Sequence, residues 1–138
     1  MAPRTLARIH RVRTAQLNLA RADEARATQT LANETLMTQR IAALVEAVAP
    51  TPTATGAFAM AGTALFRERL HHSADAAAFR VQNAELRAER AAAASRAAHR
   101  DQSAVEKLME RARIDALYRE ARDLQNAPPQ TRKRHDPC

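Results

Sequence analysis

Five histidines, one cysteine and an excess of arginine are the side chains of this sequence from which chemistry could be built. Metal binding on a helix needs two ligands on one face, at i and i+4. His10, His71, His72, His99 and His135 supply no such pair, and the adjacent His71 and His72 point in different directions. Nucleophilic catalysis by Cys138 would need a base beside it, and the nearest, His135, shares a flexible tail with it. Two glycines in 138 residues leave no glycine-rich loop to cradle a phosphate. The residues therefore point away from an enzyme: no catalytic group, no cofactor, no metal and no small-molecule substrate is expected.

What remains are surfaces. Lys and Arg number 22 against 15 Asp and Glu, a net charge of +7 that favours acidic partners. Arg4, Arg8, Arg11 and Arg13 all precede the first acidic residue, Asp23, so they concentrate positive charge near the N-terminus. Arg111, Asp115, Arg119 and Asp123 follow one another at i, i+4, flanked by Arg113 and Arg122; that spacing predicts a ladder of weak ion pairs, ~0.3 kcal/mol each. Apolar side chains gather elsewhere, as Phe58, Met60, Leu65, Phe66 and Leu70. Phe66 and Leu70 are an i, i+4 pair, and if Leu70 faces a partner helix, part of Phe66 is left outside as a docking patch. Phe79 and Leu86, seven apart, form a second line.

The elements that carry these residues are helices. Alanine loses no side-chain entropy in a helix and arginine loses little, while an alanine-rich chain with 3% aromatic residues has little area with which to build a compact core. Breakers occur in two places, PTPTATGAFAMAG and the Pro128–Pro129 pair. This predicts an all-α fold: helix 1 over about 4–49, a loop over 50–62, helix 2 over about 63–125, and a disordered basic tail over 127–138 that includes RKRH. Helix 2 carries a heptad seam, with Leu70, Ala77, Ala84, Ala91, Ala98, Val105 and Ala112 in one core position. Ala74, Val81, Ala88, Ser95, Gln102, Met109 and Ala116 fill the other. Helix 1 offers Leu6 and Ile9 early and Met37, Ile41, Leu44 and Val48 late, around a small, polar middle. A loop of about a dozen residues favours an antiparallel hairpin of one chain over a homodimer, although periodicity alone leaves an intermolecular coiled coil open. In the hairpin the charged segments at the two chain ends are expected side by side. No run of roughly 20 apolar residues is present to cross a membrane, and a single cysteine fits the cytosol.

The layout of an N-terminal helix beginning LARIHRVRTAQLNLARADEARA, a turn, and a longer helix ending VEKLMERARIDALYREARDLQ resembles the flagellar FliJ family and its injectisome counterparts, the small stalk proteins of type III secretion. The resemblance implies a stalk or adaptor similar to the central stalk of rotary ATPases, cytoplasmic and peripheral at the inner face of the cell membrane. Its partners would be the hexameric export ATPase and its regulator, the export-gate membrane protein and substrate chaperones. Carried onto this sequence, Arg4, Arg8, Arg11, Arg13, Arg111, Arg113, Arg119 and Arg122 would meet the ATPase ring, and Phe66 with Leu70 the gate. The alternative from another class is a basic coiled coil that binds nucleic acid, or a scaffold piece. Charge favours nucleic acid; the lack of stacking aromatics and of a long continuous basic helix counts against it.

Overall fold

The computed structural model describes residues 3–48 and 56–128, and within them the chain is two α-helices packed along each other. Helix α1 spans Pro3–Ala47 and helix α2 spans Ala57–Asn126, 45 and 70 residues. At ~1.5 Å per residue they are rods of about 68 and 105 Å. The all-α hairpin is thus the fold. The expected disordered tail falls, from residue 129 onward, outside the described residues, as does most of the segment joining the helices.

Helix α2 begins about six residues earlier than the breakers suggest. Gly62 lies inside it, because a lone glycine costs a helix only ~1 kcal/mol and its neighbours in AFAMAGTALF are mostly strong helix formers. Phe58 and Met60 are therefore helical, not part of a loop. The backbone of Gly56, just before the helix, has φ +119°, a conformation side-chain-bearing residues rarely adopt, which makes this position the turn into α2.

Three polar side-chain contacts across the seam report direction and register. His10 Nε2 lies 3.2 Å from Glu106 Oε1, Arg13 Nη1 donates to Asp101 Oδ2 at 3.1 Å, and Arg80 Nε donates to Glu34 Oε2 at 3.1 Å. Each step up α1 is matched by a step down α2, so the helices are antiparallel. Continued at the same pitch, this register sets Pro3 level with about residue 112 and Val48 with about residue 67. Burial agrees: the first and last half-buried residues of α2 are Arg67 and Ala112.

The heptad seam of α2 lies where the spacing puts it. Thirteen of its fourteen positions are buried or half-buried, and the exception, Ala116, lies beyond the start of α1. Ala77 retains no exposed surface, and Ala84, Ser95 and Val105 are also buried. The facing line of α1 runs through Leu6, His10, Arg13, Leu17, Ala20, Glu24, Ala27, Leu31, Glu34, Thr38, Ile41, Val45 and Val48, alternating four and three apart. Met37 and Leu44 are not in it; they are 46% and 52% exposed, and Thr38 and Val45 take the inward places. The alternation that carries Leu31 and Ile41 inward leaves Met37 and Leu44 one residue off, and Glu34 is held in line by Arg80.

Apart from the buried Ser95, polar residues in a seam this thin stay partly wet. Gln102 Nε2 donates to Glu106 Oε1 at 2.6 Å, so that carboxylate joins His10 to the α2 seam. The polar middle of α1 is helical, and its threonine hydroxyls are satisfied within the helix. Thr28, Thr30, Thr35 and Thr38 each donate to the carbonyl four residues back, at 2.8–3.0 Å.

Candidate interaction surfaces at the two tips

Among the described residues, unequal helix lengths and this register leave both ends of α2 without a facing helix. Every residue of 56–66 and of 113–128 is exposed. The described part of the rod is two helices thick in the middle and one helix thick toward each tip.

At the tip formed by the chain ends, Arg4, Arg8 and Arg11 are exposed on α1 and make no ion pair among the described residues. Arg13 differs: it is half-buried and bound both to Asp101 and, at 3.0 Å, to Gln16 Oε1. Sequence reasoning counted it with the free cations because the acid that holds it lies 88 residues away, across the seam. The two charged segments are also only partly side by side. Arg111 lies level with the first turn of α1, whereas Arg113, Arg119 and Arg122 belong to the unpaired end of α2. The expected ladder does not close: Arg119 Nε donates to the backbone carbonyl of Asp115 at 3.3 Å, and Arg113 lies 4.0 Å from Glu110. On an exposed helix, ordering two long side chains offsets most of what such a pair gains. Where the seam runs out, an open groove of about 740 Å³ is lined by Pro3 and Leu6 of α1 and by Met109, Ala112, Ala116 and Leu124 of α2, together with two arginines, Arg113 and Arg119, and two acids, Glu120 and Asp123.

The opposite tip is apolar. Phe58 is 96% exposed, and Met60, Leu65 and Phe66 each leave about half their surface open. Leu70 is half-buried in the seam, so it and Phe66 do not form one surface; Phe66 alone, 53% exposed, is presented outward.

The second line expected at Phe79 and Leu86 is exposed, and at the same seven-residue spacing it continues through Leu65 to Phe58 on the side of α2 away from α1. A further exposed line was not legible while each helix was taken as paired throughout. On the unpaired C-terminal end, Ile114, Leu117, Tyr118 and Leu124 are exposed at helical spacing. The mismatch in helix lengths was the signal available for it. Midway along the rod, Arg21 of α1 and Arg96, His99 and Arg100 of α2 border a shallow basic groove.

No group of three residues able to hold a metal ion occurs among the described residues, and none of the helices is long and apolar enough to cross a membrane. No family model matches the chain, and no curated protein or solved structure does.

Proposed function

We propose that this protein is a non-enzymatic stalk of a type III export apparatus, engaging a hexameric ATPase with its terminal tip and the membrane export gate with its turn tip. The observation that carries the reading is the asymmetry of the rod. A thin, arginine-bearing end and an uncharged apolar end stand at opposite extremes of two packed helices. Alanine suits such a part, because small side chains keep a two-helix rod slender enough to enter the centre of a ring.

In this reading Arg4, Arg8 and Arg11, with Arg111, Arg113, Arg119 and Arg122, meet acidic side chains of the ring, while Arg13 acts indirectly by holding α1 to α2. Phe66 meets the gate; Leu70 supports it from the seam. The rod between them is available to substrate chaperones, and the ATPase regulator sits near the ring. The protein hydrolyses nothing itself. A higher affinity for one ring conformation than for another would promote ring assembly or turnover.

The test is to add the purified protein to the export ATPase of the same cell and measure hydrolysis. A rise in rate is expected, lost when Arg4, Arg8 and Arg11 are changed to glutamate and retained when Phe66 is changed to alanine. Unchanged kinetics at saturating protein would overturn the proposal. Steep salt-dependent binding to DNA with no ATPase partner would instead favour the basic coiled-coil reading.

A further inference from the structure

From Ala47 to Phe66 the chain carries no Asp, Glu, Lys, Arg or His, twenty residues between Glu46 and Arg67. The part of this run within α2, Ala57 to Phe66, projects beyond α1 and is exposed at every position. It has no polar face. Its one side-chain hydroxyl, Thr63 Oγ1, donates to the Ala59 carbonyl at 2.9 Å and asks nothing of a solvent.

The large side chains of this segment do not share a stripe. At 100° per residue, Phe58 and Leu65 point one way, Phe66 about 80° round from Phe58, and Met60 about 200° round. A groove on a protein receives one stripe of a helix. A helix that is apolar all round suits surroundings that are apolar on every side. A lipid leaflet is such a medium, because hydrophobic burial is non-directional and fluid chains close around each side chain.

We infer that the turn tip of the rod inserts directly into one leaflet of a lipid bilayer. Two features limit the depth. The segment is ten residues, about 15 Å, half of a ~30 Å hydrocarbon core. Among the described residues no side chain caps the first-turn N–H groups of α2, and headgroup or glycerol oxygens would satisfy them. Both conditions are met when the segment enters one leaflet obliquely, its side chains among the acyl chains and its first turn within reach of the glycerol oxygens. The first charges beyond it, Arg67 and Arg69 around Glu68, then fall at the phosphate layer, where two cations to one anion suit an anionic surface. The inference takes the place of the gate contact assigned to Phe66 in the proposed function and leaves the ATPase end of that reading untouched, and its test involves no ATPase.

The chain contains no tryptophan, so a single one reports on its own site. Full-length Phe58→Trp and, as a control at the other tip, Leu124→Trp are titrated with vesicles of phosphatidylethanolamine and phosphatidylglycerol. Phe58→Trp is expected to shift its emission to the blue and to be quenched by lipids brominated near the glycerol; Leu124→Trp is expected to do neither. In co-sedimentation, Phe58→Asp with Phe66→Asp should weaken partitioning about a hundredfold, tenfold for each phenylalanine, with helicity unchanged because both sites are exposed. Arg67→Glu with Arg69→Glu should cost less, and only on anionic vesicles. No blue shift on any vesicle overturns the inference, and so does an equal shift at both tips. Binding that survives the aspartates and vanishes in high salt, or a blue shift that needs protein concentration but no lipid, does so as well; the last would mean that tips associate with each other.

Discussion

Replacing Ala77 by leucine and, separately, Ala116 by leucine makes the same chemical change in one heptad seam. The register gives the two opposite contexts. Ala77 has no exposed surface and lies level with about Thr38 of α1, so three added carbons must push the helices apart. Overpacking of this kind costs about 1–3 kcal/mol. Ala116 lies beyond the start of α1 and is exposed, so leucine there meets no opposing helix and loses at most a few tenths of a kcal/mol in helix propensity. Urea unfolding followed by circular dichroism reads both. With a slope of about 1–3 kcal/mol per molar, Ala77→Leu should lower the midpoint by about 1 M and Ala116→Leu should leave it in place. Equal shifts would refute the register, and a higher midpoint for Ala77→Leu would refute close contact at the alanines.

The Glu34–Arg80 pair predicts that Glu34→Arg or Arg80→Glu each destabilises the hairpin by about 0.5–1 kcal/mol and that the double exchange restores most of it, measured as a double-mutant cycle. Nothing lies within 4 Å of a Cβ built on Gly62, so Gly62→Ala should stabilise the first turns of α2 by ~1 kcal/mol and raise helicity. Gly56→Ala has the same open space but a φ of +119°, so it should weaken the start of that helix instead. In hydrogen exchange, amides of residues 113–126 should exchange well before those of 70–112, because a helix without a partner holds its bonds by propensity alone; equal protection would mean that the C-terminal end is covered.

The paired part of the fold was legible because it rests on periodicity. The α2 seam could be read position by position, since long-range alternation of small apolar residues has one helical interpretation. The α1 seam was less legible, because its inward line includes His10, Arg13, Glu24 and Glu34, whose types argue for the surface. They sit inside a seam so narrow that charged ends still reach water, and three of them find partners on α2 that lie 46 to 96 residues away in the chain. Pairing at that separation leaves no local trace. The same is true of the tips. Arg4, Arg8 and Arg11 could be placed on an exposed end, but where α1 stops against α2 follows from register, so the unpaired stripe Ile114, Leu117, Tyr118 and Leu124 was hidden among residues expected to be packed.

The step from two helices to one has a mechanical meaning. A rod resists bending through the width of its cross-section, and where α1 lies against α2 the section is doubled in one direction and locked by cross-ties at Glu34, Arg13 and His10. Helix α1 is a splint on a longer α2. Under load the middle stays straight and passes a twist along its length, while each single-helix end flexes like a shaft coupling. In the stalk proposed above, a turning part held between two bodies that are not coaxial would need that distribution of stiffness, with its compliant joints at the two ends.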